Sequence, residues 1–261
     1  MRAVLTYHSI DDSGSPISVS LETFERHVRW LTSGDVTVEP LDALVRPSDA
    51  SDGPPHRVAL TFDDGFANFS ASAWPRLRDA GLPATVFLVS GHVGGTNAWG
   101  GRRVPGIPVL PLMSWDEAGH CASAGATIGA HSRTHPHLPA MTASGARAEM
   151  EGGQQDLCNR LGVPVNAFAY PYGDVSPDVA ATAVSLFDVA CTTEYRAFSG
   201  DDLRHLVPRI DMYYFQAPEA FVDWGTAAFR RRVARRRVLR GARQGLAALS
   251  LSGSRSAAKG L

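Results

Sequence analysis

Residues 58–65 read Val58-Ala59-Leu60-Thr61-Phe62-Asp63-Asp64-Gly65. A short apolar and β-branched run that ends in polar, reactive side chains describes a strand opening onto chemistry at its C-terminal end. The design recurs along the chain. Strand-like runs fall at 3–7, 84–89, 127–130, 167–170, 188–192 and 206–210. Helical patterns lie between most of them. Leu21, Phe24, Val28 and Leu31 share one apolar face, with Gly34 as the stop. Ser114 and Glu117 form a capping box for a helix ending near Gly125. Ser176 and Pro177 cap a third, ahead of Val179, Ala183 and Leu186. Alternating strands and helices imply a parallel sheet, and about seven such units in this length suggest an α/β, TIM-like barrel; the alternative, an open doubly wound sheet, would scatter the reactive groups more widely. His8, Asp63, Asp64, His131, His135, Tyr170 to Tyr172 and Asp211 all follow strands. In a parallel barrel such positions share one rim.

One barrel over 1–228 and a basic helix with a flexible tail over 229–261 account for the 261 residues. The formal charge of −1 hides a split: from Phe229 onward there are nine Arg, one Lys and no acid, leaving the rest near −11 by formal count. A body that acidic is a poor binder of nucleic acid. Three widely spaced cysteines without a CxxC pair argue against a disulfide framework. The opening MRAVLTYHSI reaches His8 too soon for a signal peptide, and no apolar run is long enough to span a membrane. These features point to a cytoplasmic location. In the tail, Arg230 to Arg232, Arg235 to Arg237, Arg240 and Arg243 alternate with Phe229, Val233, Val238, Leu239 and Leu246. That pattern permits either peripheral contact with an anionic membrane or a plain solvated helix with a disordered end.

Two stretches interrupt the alternation. Residues 46–56 read as a polar surface loop. Residues 91–113, rich in Gly and Pro and carrying Trp99, Arg102 and Arg103, read as a substrate-binding lid on the rim.

The chemistry gathers in three motifs. Asp63 and Asp64 diverge on an extended segment, so one can serve a metal and the other a water; two acids before a glycine can also be only a turn. His131-Ser132-Arg133-Thr134-His135 places two imidazoles four apart, on one face if the segment is helical. With Asp64 they make a two-His, one-carboxylate set that leaves positions open for water and substrate, as a catalytic metal site requires. His137 reads as a surface or supporting residue. Tyr170-Pro171-Tyr172-Gly173 reads either as a tight turn or as a sugar-stacking wall whose backbone N–H faces a developing oxyanion.

TFDDG (61–65), HSRTH (131–135) and FAYPYG (168–173), in that order, resemble the polysaccharide deacetylases, the carbohydrate-esterase family 4 that shares the rhizobial chitooligosaccharide-deacetylase domain. The resemblance runs from about Val4 to Asp211. It implies a distorted (β/α)7 barrel and removal of the N-acetyl group from an amino sugar. It makes Asp63 the general base and Asp64, His131 and His135 the ligands of one divalent ion, usually zinc, with cobalt, iron or nickel as alternatives. Tyr172 would supply the oxyanion-binding N–H. The opening VLTYHSI resembles a circularly permuted branch that includes poly-N-acetylglucosamine deacetylases, in which His8 rather than His205 would be the catalytic acid. The family's arginine before Pro-Tyr is absent; Arg209 is the candidate to hold Asp63, with Asp211 as its own partner. Tyr170, Pro171, Trp99 and Asp211 are the candidate substrate contacts. The rival reading is a metal-dependent amidase acting on a non-sugar N-acyl amine.

Overall fold

The computed structural model describes residues 1–46 and 55–239. Most of the 46–56 loop and the tail beyond 239, with Arg240, Arg243 and Leu246, lie outside the described residues. The chain divides into a unit of Met1–Phe221 and a second that begins at Val222.

In chain order the first unit contains β1 (Arg2–Tyr7), β2 (Ser9–Ile10), β3 (Ser18–Val19), α1 (Leu21–Leu31), β4 (Thr37–Val38), α2 (Leu41–Leu44) and β5 (Arg57–Phe62). There follow α3 (Trp74–Asp79), β6 (Ala84–Leu88), α4 (Trp115–Ser123), β7 (Thr127–Ala130), α5 (Ala143–Leu161), β8 (Ala167–Ala169), α6 (Pro177–Leu186), β9 (Val189–Cys191) and β10 (Arg209–Asp211). Seven strands form the barrel wall in the order β10-β1-β5-β6-β7-β8-β9, with β4 also pairing β5. Every pairing along the wall is parallel. The ends of the path meet where Cys191 bridges Val207, just ahead of β10. Thr192 N–H donates to Val207 O at 2.8 Å and Val207 N–H to Ala190 O at 2.9 Å. The result is a nearly closed α/β barrel, as the alternation implied.

The apolar runs are continuous because each strand is covered on both faces. Val58 to Phe62 are all buried, and so are Ala84 to Leu88. Val4, Ala59, Phe87, Ala169, Val189, Cys191 and Val207 belong to one core cluster. Each such side chain taken from water stabilises the fold by roughly 1.5–3 kcal/mol when large. The expected caps are present: Ser114 and Glu117 form the reciprocal box, and Ser176 Oγ accepts from Val179 N. The 19-residue α5 was not expected. Thr142 caps it, and Gly162, left-handed at φ 67°, ends it. All three cysteines are free.

In the second unit the described residues 227–239 are helical. Phe229 and Val233 are buried, while Arg230 to Arg232 and Arg235 to Arg237 are exposed. No helix among the described residues is long and apolar enough to cross a membrane.

Candidate active site

Because the wall is parallel, the C-terminal ends of β1, β5, β7 and β8 deliver His8, Asp63, Asp64, His131 and Tyr170 to Tyr172 to one rim. The two carboxylates of β5 go separate ways. Asp64 Oδ1 lies 3.5 Å from His131 Nε2 and 3.4 Å from His135 Nε2, and the two imidazole nitrogens are 3.3 Å apart. All three residues are buried.

An ion with arms of about 2.1 Å and tetrahedral angles spans ligand atoms about 3.4 Å apart, so this triangle fits a zinc-like divalent cation. The donor set fits as well. His131 Nδ1 donates to Ala169 O at 2.7 Å, which fixes the tautomer and turns the Nε2 lone pair to the centre. His135 Nδ1 is buried without a partner, and its ring is held instead by aromatic contact. Trp99 stacks on it at 4.5 Å and Tyr172 meets it edge-on at 4.6 Å.

The histidines do not converge through a helix, as their spacing suggested. Residues 131–135 form an irregular loop in which Ser132 (φ 62°) and His135 (φ 60°) are left-handed. Asp64 (φ 70°) and Tyr172 (φ 60°) share that conformation, and these four are the non-glycine residues so placed among the described residues. Each costs on the order of 1–2 kcal/mol outside glycine, and all four border one centre. Ser132 Oγ closes the loop internally by accepting from His135 N at 2.9 Å.

Asp63 is held by Arg209, whose two terminal nitrogens donate to Oδ1 and Oδ2 at 2.6 Å each. Arg209 Nε donates to Thr192 O at 2.9 Å and Nη1 to Thr61 Oγ1 at 3.3 Å, so the guanidinium is fixed on three sides. Burial works to raise the Asp63 carboxyl. The Arg209 charge and hydrogen bonds outweigh it, with His131 and His8 adding, and hold it well below the usual range. Burial likewise opposes ionisation of Asp64, but the hydrogen bond from His131 and the charge of His135 keep it lowered. Burial lowers His135 to about 3, aided by His131. For His131 burial is outweighed by the Asp64 and Asp63 carboxylates, and its pKa is raised.

His8 Nε2 stands 3.9 Å from Asp63 Oδ2 with its side chain a quarter exposed. His205 does not join the site: its Nε2 meets Phe187 O at 2.8 Å, ahead of β9 and toward the opposite end of the barrel. The Tyr-Pro-Tyr reading needs correction. Tyr170 is fully buried, packed on Phe168, and its hydroxyl donates to His205 O at 2.9 Å. Pro171 is buried too. Neither forms a sugar-stacking surface, because the chain leaving β8 stays in the packed layer for both residues. Tyr172 is 42% exposed and lies against His137 at 3.9 Å. His137 in turn contacts Asp174 at 2.5 Å. Asp211 accepts from Tyr213 N at 3.0 Å and adds to Arg209 through its charge, whereas the guanidinium itself is directed at Asp63.

A family profile described as polysaccharide deacetylase matches residues 50–187. The chain is 23% identical over 206 residues to the poly-β-1,6-N-acetyl-D-glucosamine N-deacetylase of Staphylococcus epidermidis, covering 74% of this chain and 67% of that protein. Among solved structures, the deacetylase PplD of Streptococcus pyogenes superposes with a TM-score of 0.70 at 19% identity, over 84% of this chain and 96% of the other. IcaB of Ammonifex degensii gives 0.67 at 22% identity, over 82% and 94%. Both show the same barrel.

Proposed function

The chain belongs to the polysaccharide deacetylase family, and from that premise we propose that it hydrolyses the acetamide of an N-acetylated amino sugar, with a polymer or oligomer of N-acetylglucosamine as the substrate class. The observation that carries the reading is the separation of roles within Asp63-Asp64. One carboxylate faces two histidines in a cation-sized triangle, and its neighbour is ionised, clamped by Arg209 and left beside His8.

Asp64, His131 and His135 would hold one divalent ion, zinc by fit. Such an ion, when bound, polarises the acyl carbonyl and acidifies water. Asp63, kept ionised and oriented by Arg209, takes the proton of the attacking water. His8 gives a proton to the departing nitrogen, which is a poor leaving group until protonated. The backbone N–H of Tyr172 donates to the developing oxyanion. Trp99, stacked on His135, would line the acyl-binding side. Acetate and a free amino sugar result. The exposed arginines of 227–239 would offer contact with an anionic membrane surface, apart from the chemistry.

The deciding experiment incubates the zinc-loaded protein with β-1,6-linked and β-1,4-linked N-acetylglucosamine oligomers and with simple N-acyl amines, following acetyl loss by mass spectrometry. Acetyl loss from an oligomer is expected. Turnover of the simple amines alone would move the assignment to a non-sugar amidase.

A further inference from the structure

The histidine-bearing loop is strained, and its own hydrogen bonds do not explain how it is held. Ser132 and His135 both occupy left-handed backbone, and the segment belongs to neither strand nor helix. Left free, such a loop would relax toward ordinary dihedrals and swing His135 away from Asp64. Something outside it must supply the restraint.

Part of it comes from the segment after β6, where Gly91 N–H donates to Arg133 O at 2.8 Å and Ser90 N–H to Ser132 O at 3.4 Å; the rest comes from α5, which contributes no side chain to the Asp64–His131–His135 cluster. Glu149 Oε2 accepts from two consecutive backbone amides of the loop, Arg133 N at 3.0 Å and Thr134 N at 2.8 Å. Its Oε1 accepts from Thr134 Oγ1 at 2.8 Å. Both amides lie between the two histidines, so this carboxylate sets the orientation of the peptides that connect them. Three donors to one anion make a strong, directional hold. One turn on, Gly153 lets the helix backbone come against the loop: a Cβ there would stand 2.8 Å from the Ser132 carbonyl carbon and 2.9 Å from its oxygen. A further turn along the same face, Asp156 takes Arg133 Nε at 2.8 Å, Arg133 Nη2 at 2.7 Å and Ser90 Oγ at 2.8 Å, tying the loop to the segment after β6. Positions 149, 153 and 156 form one helical stripe. The Arg133–Asp156 pair is half exposed and individually weak. Glu149, unlike Asp156, bonds the loop through its backbone amides.

We propose that Glu149 is a positioning residue that holds the His131–His135 loop in its strained form and thereby sets the affinity of the centre for a divalent ion. The proposal rests on the metal centre described above and is independent of the substrate. Its test needs no turnover: zinc affinity by chelator competition, and the visible absorption spectrum of the cobalt-loaded protein. Glu149→Gln should weaken zinc binding by about 10–100-fold, the usual effect of removing a partner behind a metal ligand, and should change the cobalt spectrum. Glu151→Gln removes the same charge from the same helix, where the carboxylate faces Arg147 at 3.4 Å. It should leave both readouts unchanged. Thr134→Val, which deletes one bond to Glu149 at an exposed position, should weaken zinc in the same direction by less, and it carries the test if Glu149→Gln does not fold. A folded Glu149→Gln with wild-type affinity and spectrum overturns the proposal. So does an equal loss in Glu151→Gln, or, with Glu149→Gln unfolded, a Thr134→Val protein of wild-type affinity. A wild-type chain that takes up no divalent ion overturns the centre and this role together. One that binds zinc yet hydrolyses no acetamide overturns only the deacetylase reading.

Discussion

Asp63 and Asp64 are neighbours on one strand end with different partners, and their behaviour in variants should differ accordingly. Arg209 and Asp63 are both essentially buried, so removing the guanidinium strands a charge in the core. Arg209→Met should cost about 3–5 kcal/mol in denaturant unfolding. The pH dependence carries a sign. In the wild type Asp63 titrates below its unfolded value of about 3.9, so the pair's contribution is complete above that pH and is lost as pH falls through the folded value. In Arg209→Met burial raises the carboxyl instead, so stability should fall as pH rises above about 4. A slope unchanged from wild type would contradict the pairing. At the same scale, His8→Ala should lower kcat by about 10²–10⁴ with its metal content intact, while His205→Ala keeps most of its activity. An inactive His205→Ala beside a working His8→Ala would reverse the assignment of the acid. The residue types of the centre were legible because an acid pair and a His pair, each weak alone, together make up a metal-ligand set. Their geometry was not. Spacing of four suggested a helix, whereas four left-handed residues build the pocket, and no sequence pattern announces a non-glycine positive φ. Tyr170 misled because the residue following β8 stays in the core, packed on Phe168.

The elements that frame the centre divide into those with strong patterns and those without. The strands and the Ser-capped α4 and α6 stood out, since apolar runs and caps are local signals. The helix α5 did not: its buried positions are Ala146, Met150, Gly153 and Leu157, correctly spaced but half of them small, with glycines in its middle. Gly153 allows close approach to the loop, so the same property that makes α5 useful hides it. Glu149 was missed with it. Segment 91–113 is ordered by its own pairings. Gly94 N–H donates to Met113 O at 2.7 Å, Leu112 N–H to Gly95 O at 3.0 Å, and the Asn97 side chain joins Leu110 N and Pro108 O across its arms. It presents Trp99 between His92 and His135. Trp99→Ala should therefore raise KM more than it lowers kcat, as loss of uniform binding does. A change confined to kcat would instead give Trp99 a part in the chemical step.

For the molecule as a whole, the proposed ion joins the ends of β5 and β7 across β6, so it acts as a cross-brace of the rim. Chelation should lower the melting temperature and zinc should restore it. An ion present at a hundredfold its Kd stabilises by about 2.7 kcal/mol. A melting curve indifferent to chelator would argue that the rim holds itself. The order in which the wall closes has a consequence in time. Val4 pairs with Arg209, residues from nearly opposite ends of the described barrel, and such distant contacts form late because a long loop must close first. The strand that arrives last also carries the guanidinium that Asp63 depends on. A nascent chain that has not yet emerged past residue 208 therefore has an open edge and a carboxylate with no counterion in the same place, and both defects disappear in one step. Closure of the barrel wall and delivery of a counterion to Asp63 are a single folding event.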